Sequence, residues 1–330
     1  MFQPEVYSLA LVFMLGSMIC WGSWANTMKL TQGWAFQLYY WDYVAGIVVT
    51  TLVWGLTVGS FGSSGLPFFA DLRQATPEHL LYAIAGGVAF NVANLLLVAA
   101  IEIAGLAVAF PLGIGIALVV GVLLSYLLSP KGNLWMLAAG VTLVTTAIVL
   151  DAMAYRRRES VQKHTSTLGI VLSLICGVLM GLFYPLVARA GEGAGALGPY
   201  AVAFVFALGA ALCTLPCNLW LMRKPLVGGG PIPMRSYMQA PLHWHLWALA
   251  GGAIWGSGAV LNFVAAHAAL VGPAVSYAIG QGATMVSAVW GVLIWKEFAG
   301  APRASRKLIP YMFLCFLAGL ALVAVTPLVR

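Results

Sequence analysis

Charge is what this sequence has least of. Only 8% of its 330 residues are charged, against 62% hydrophobic, and the mean hydropathy is +0.95. Soluble domains carry about 25% charged residues, so a water-soluble fold is excluded. Cysteine is scarce as well. All five cysteines (Cys20, Cys176, Cys213, Cys217, Cys315) fall within apolar stretches, which leaves no disulfide framework. Cys213 and Cys217 lie one helical turn apart, yet no His or further Cys stands near them in sequence, so they read as packing rather than a soft-metal site. The histidines (His79, His164, His243, His245, His267) sit at span ends or in loops and form no HExxH pattern. No nucleophile with a base beside it is evident either. The expectation is therefore not an enzyme, with no metal and no cofactor; turnover of a soluble substrate would overturn it.

What is present is a series of apolar runs, each near the roughly 20 residues that a helix needs to cross a bilayer. Ten spans are expected, at about 5–29, 38–60, 79–102, 105–128, 133–155, 167–190, 197–222, 244–268, 271–295 and 307–329. The fold class is an all-α membrane protein. The third and fourth spans, and the eighth and ninth, are so close in sequence that each pair reads as a tight hairpin. The first run lacks a basic leader and is too long for a cleaved signal peptide.

The 16 Lys and Arg outnumber the 9 Asp and Glu, and topology accounts for the surplus. Lys29, Arg156, Arg157, Arg158, Lys163, Arg223, Lys224, Arg235, Lys296, Arg303, Arg306 and Lys307 fall in one set of alternate connections. Arg73, Lys131, Arg189 and Arg330 fall in the other. The positive-inside rule makes the first set cytoplasmic and both termini external, periplasmic in a bacterial inner membrane. No nucleic-acid partner is implied.

An internal repeat underlies the ten spans. AGGVAFNVANLLLVAAIEIAGLAVAFPLGIGIA at 85–117 overlays AGGAIWGSGAVLNFVAAHAALVGPAVSYAIGQG at 250–282, an offset of 165 residues. Gly86, Gly87, Ala100, Ala109, Ile114 and Gly115 each meet an identical residue. A weaker echo sets CWGSWAN (20–26) on LMGLFYP (179–185), Gly22 on Gly181 and Trp24 on Phe183. Five spans per half is an odd number, so the second half enters the membrane from the opposite side. The expected domains are a first five-helix repeat at 1–155, a cytoplasmic linker at 156–166 and a second, inverted five-helix repeat at 167–330. In such proteins a substrate binds near the midplane, where the repeats meet.

Polar side chains inside the spans are amides, hydroxyls and indoles. Asn91 and Asn94 share a face of the third span. Asn262 lies in the eighth, Tyr277 and Gln281 in the ninth, Tyr184 in the sixth, and Trp21, Trp24 and Asn26 in the first. Such groups recognise neutral polar solutes through paired donors and acceptors, and these nine are the expected substrate contacts. Asp42, in YYWDYVAGI, is the candidate for proton coupling; its alternative is an interfacial residue paired with Lys29. Asp151 and Glu297, near cytoplasmic ends, are expected to be solvated.

MICWGSWANTMKL (18–30), the GG…N…N hairpin and the long stretch 254–298 ending WGVLIWKEF resemble the drug/metabolite transporter superfamily. Within it the sequence is most similar to the branch of ureide permeases, glucose/ribose uptake proteins and the rhamnose–proton symporter. The resemblance implies ten helices in two inverted repeats, uptake of a small neutral solute (ureide, nucleobase or sugar) and, often, proton symport. It places Asp42 on an aspartate of the ureide permeases, and Asn94, Gln281 and Asn262 on positions of the sugar branch, although WGSGAVLN displaces Asn262 by several residues. A metabolite or multidrug exporter of the same superfamily remains the rival, and a homodimer stays open.

Overall fold

The computed structural model describes residues 1–158, 166–226 and 230–329, and among them there is no strand. Ten long helices follow one another: α1 Tyr7–Ser23, α2 Phe36–Leu56, α3 Pro77–Ala104, α4 Val108–Leu128, α5 Leu134–Arg158, α6 Thr167–Ala190, α7 Pro199–Arg223, α8 Leu242–His267, α9 Gly272–Ile294 and α10 Leu308–Val325. Nine helices among the described residues are long and apolar enough to cross a membrane. The exception is α2. Its 21 residues suffice in length, about 1.5 Å apiece, but Gln37, Tyr39, Tyr40, Asp42 and Tyr43 crowd its first half. Most of the expected linker, residues 159–165 with Lys163 and His164, lies outside the described residues, as does Arg330.

Both expected hairpins are present, and each depends on a glycine in the left-handed half of backbone space. Gly105, with φ of 80°, breaks the chain between α3 and α4, with helix resuming at Leu106 just ahead of α4, and Gly272, with φ of 74°, starts α9. The second helix of each hairpin is irregular. In α4 a π-helical turn spans Pro111–Gly115, where proline supplies no amide for a regular ladder. In α9 the α-helix stops at Gly280 and resumes at Ala283, and a second π turn runs Trp290–Ile294. Gln281 thus stands between two glycines, the poorest ordinary helix formers.

The principal helix contacts follow one rule. α1 packs on α8 and α9, and α6 packs on α3 and α4; α2 packs on α7 and α8, and α7 on α2 and α3. α4 meets α9, and α5 meets α10. Exchanging each helix for the one five places away returns the same set. The closest crossings are built from glycine, as membrane helices without a hydrophobic drive between them require. A Cβ on Gly252 (α8) would stand 1.9 Å from the Tyr43 carbonyl oxygen of α2, and one on Gly46 (α2) 2.3 Å from that of Leu249. Between α3 and α7 the corresponding figures are 2.0 Å from Phe206 for Gly87 and 2.4 Å from Ile84 for Gly209.

One end of the bundle carries an ionic cluster. Lys29 pairs with Glu297 at 2.5 Å, Tyr155 donates to the other carboxylate oxygen at 2.5 Å, and Arg158 stands 3.8 Å from it. Asp151 is buried close by, only 7% exposed. The solvated state expected of Asp151 is therefore corrected, because helix packing closes over it; Glu297, just past the end of α9, keeps 21% of its side chain exposed. Burial raises the Glu297 carboxyl, but the bonds from Lys29 and Tyr155 and the charges of Lys29 and Arg158 outweigh it and hold it below its ordinary 4.5. A depressed acid contributes stability that is complete above its unfolded value and lost as pH falls through the folded one. Thermal unfolding in detergent should show that loss below about pH 4.5, and Glu297→Gln should flatten it.

Candidate functional site

A cavity of about 170 Å³ lies where α1, α3, α4, α6, α8 and α9 meet. Its walls are aromatic: Trp21, Trp24, Phe90, Phe110, Phe183 and Trp255. Trp255 stacks on Phe90 with centroids 4.2 Å apart, and on Trp21 at 5.7 Å. Three polar side chains, Asn94, Gln281 and Thr284, interrupt this surface. The rim reaches Ala25 and Ser287, both exposed, on the side of the Lys29–Glu297 cluster. Toward the other end the bundle is sealed. There Tyr184 donates to Asn262 Oδ1 at 2.5 Å, Asn262 donates to the Ser276 carbonyl at 3.0 Å, and the Tyr277 hydroxyl reaches the Met180 carbonyl at 3.1 Å.

The hydrogen bonds left unmade in the cavity indicate what it can hold. Gln281 is 9% exposed, and its amide has no partner among the described residues. The Trp21 indole N–H is buried and also unpartnered. A buried polar group without a partner costs about 1–3 kcal/mol, a cost that a solute with both N–H and C=O groups would relieve. Asn94 is anchored on its outer side, donating to the Tyr40 hydroxyl at 3.2 Å. Tyr40 in turn bonds Asn91 Oδ1 at 2.9 Å, which Thr214 of α7 also reaches at 2.9 Å.

Of the residues expected to contact substrate, the structure brings Trp21, Trp24, Asn94 and Gln281 to the cavity. Asn91 lies behind Asn94, fully buried and bonded to Tyr40 and Thr214. Tyr184, Asn262 and Tyr277 belong to the seal beneath it. Asn26 lies beyond the rim, where it accepts from the Trp295 indole at 2.6 Å. Asp42 does not pair with Lys29, which Glu297 holds instead; Tyr237 donates to its Oδ1 at 2.6 Å, and His245 Nδ1 shares a hydrogen bond with its Oδ2 at 2.6 Å. Phe90, Phe183 and Trp255 were not among the expected substrate contacts. A signal for two of them existed: the 165-residue offset that pairs Gly87 with Gly252 also pairs Phe90 with Trp255.

Comparison with known proteins bears on this arrangement. The ureide permease family matches residues 39–157 and 143–326, together most of the chain. The chain belongs to the ureide permease family. Among curated relatives of this ureide permease family member, Ureide permease 1 of Arabidopsis thaliana is 23% identical, with 97% of each chain covered. Ureide permease 4 of the same plant is also 23% identical, over 98% of each chain. A solved crystal structure superposes with a TM-score of 0.64 at 16% identity, covering 96% of this chain and 98% of its own, and so shares the fold. The chain is a multi-pass integral membrane protein and, like its family, a membrane transporter.

Proposed function

We propose that this chain imports small, flat, neutral solutes of the ureide and nucleobase type, by proton-coupled alternating access between two inverted five-helix repeats. The observation that carries the substrate class is the aromatic cavity, onto which the Gln281 amide opens without a partner among the described residues, together with the buried, unpartnered Trp21 indole N–H. Aromatic faces stack on planar heterocycles, while the amide and indole complement a urea-like N–H and C=O edge. The names of the plant relatives point to the same solutes. Trp21, Trp24, Asn94 and Gln281 make the direct contacts in this reading. Asn91 holds Asn94 in place, and Tyr184, Asn262 and Tyr277 form the outer barrier.

The repeat reading, 1–155 and 167–330 about a linker at 156–166, draws support from the exchange symmetry of the helix contacts and from the matched glycine crossings. The cavity walls also pair by repeat: Trp21 with Met180, Trp24 with Phe183 and Phe90 with Trp255. In this reading the structure is the inward-facing state, open toward the positively charged side, and the termini face the periplasm.

Uptake into proteoliposomes under an inward proton gradient tests the proposal, with labelled allantoin, uracil, ribose and glucose side by side. Accumulation of the two heterocycles and neither sugar is the expected result; accumulation of a sugar alone would overturn the substrate class. Asp42 carries the coupling proton here. Asp42→Asn should therefore abolish pH-driven accumulation, about tenfold per pH unit for one proton per solute, while solute exchange continues. Full accumulation by that variant would remove Asp42 from the cycle.

A further inference from the structure

We infer that His245 is a second proton-carrying residue, and that with Asp42 it forms a one-proton latch fastening the short helix Arg235–Met238 to the inner ends of α2 and α8. The inference rests on the proton-coupled reading above and adds the residue, and the chain segment, through which coupling would act.

The geometry is specific. Asp42 is 7% exposed, and both of its oxygens are taken: Tyr237, from the short helix, donates to Oδ1 at 2.6 Å, and His245 Nδ1 of α8 lies 2.6 Å from Oδ2. One carboxylate thus ties α2 to the short helix and to the start of α8, 195 and 203 residues on. The imidazole is boxed by rings, edge-on to Trp34 at 5.0 Å and to Tyr237 at 4.7 Å, and Trp34 also packs on Trp244 at 5.8 Å. Burial, and then the Asp42 carboxylate, push the Tyr237 phenol up, so it stays a donor. Trp34 keeps a buried indole N–H with no acceptor, so the closed package leaves a cost that another arrangement could relieve.

Charge arithmetic makes the pair a switch. With one proton between them, Asp42 and His245 are net neutral whichever holds it. With none, a carboxylate sits in an apolar box beside a neutral ring, which burial disfavours. Tyr39, Tyr40 and Tyr43 on α2, Tyr237 and Arg235 on the short helix, His243 on α8, and Arg223 and Lys224 at the end of α7 are the titratable or charged groups of this end of the packed elements. Lys29, the remaining cation near α8, is held by Glu297. Among the described residues only Tyr237 bonds the pair. Proton loss would therefore loosen the 235–238 helix and free Asp42 toward the basic connection around it. The latch also abuts the cavity: Tyr43, next to Asp42 in sequence, packs on the cavity wall Trp24 at 4.7 Å.

The test combines transport with a spectroscopic readout. In proteoliposomes, His245→Asn should bring the accumulation ratio down to about 1 while exchange stays within a few-fold of wild type, as for Asp42→Asn, and the double variant should be no worse than either. The swapped pair, Asp42→His with His245→Asp, keeps one shared proton and should regain part of the gradient response. Tryptophan emission of the purified protein should show a pH-dependent quenching step, from imidazolium beside Trp34, that both His245→Asn and Trp34→Phe remove. A wild-type gradient response that His245→Asn leaves intact, or an emission titration that it leaves unchanged, overturns the inference and makes the pair a static tie. A wild type that ignores the gradient overturns the coupling reading itself, and the inference with it.

Discussion

Replacing Gln281 with leucine should cut uptake about 10- to 100-fold and leave the folded protein as stable as wild type. The two halves of this expectation come from one fact. The Gln281 amide is nearly buried and bonds nothing among the described residues, so its removal breaks no internal contact. Leucine is close in size, and the amide, open to the cavity, has no internal bond to forfeit, whereas a solute group left unpaired costs about 1–3 kcal/mol. The solute loses its hydrogen bonds to that amide, worth a similar amount, and every 1.4 kcal/mol is a factor of about ten. Initial uptake rates and unfolding temperature in detergent, with and without solute, separate the effects. Asn94→Leu is the contrast, since it also severs the bond to Tyr40 and should lose stability along with transport. Wild-type uptake by Gln281→Leu would mean that the cavity is not the solute's resting place.

How far the sequence foretold this site depended on the distance over which each residue is defined. The spans are legible because an apolar run of a given length answers to the bilayer alone. The hairpins are legible too, since their glycines act locally. α2 shows the limit: its aromatic and polar first half gives a weak apolar signal, yet that half supports the cavity and holds the Asp42 cluster through Tyr40, Asp42 and Tyr43. The polar inventory reads as an undivided set, with no sign of which side chains share a cavity. Asn91 and Asn94 look alike in sequence, three residues apart on one face, but only Asn94 reaches the cavity. Which amide faces the cavity is decided by Tyr40 and Thr214, more than 50 and 120 residues away. The partner of Asp42 was out of reach for the same reason: His245 is 203 residues distant, and the connection that carries Tyr237 reads as an ordinary loop.

Gly87→Ala and Gly252→Ala should each remove most of the folded protein, and to a similar extent. At Gly252 the added Cβ would lie 1.9 Å from the Tyr43 carbonyl oxygen, and at Gly87 2.0 Å from that of Phe206. Both obstacles are backbone, which cannot rotate away as a side chain does, so the helices must separate. Overpacking of a core costs about 1–3 kcal/mol even where side chains can yield, and these two sites belong at or beyond the upper end. Loss of about 3 kcal/mol is a large part of a protein's 5–15 kcal/mol of stability. Gly115→Ala serves as the control, because the nearest atom to its Cβ would be 4.0 Å away. Yield of monodisperse protein and unfolding temperature are the measurements. Equality of the two losses carries the further weight. The two glycines occupy the same place in the two halves, 165 residues apart, at crossings that exchange when each helix is replaced by the one five places on. If Gly252→Ala collapses the fold while Gly87→Ala is tolerated, the two crossings are not equivalent, and the repeat reading loses its strongest geometric support.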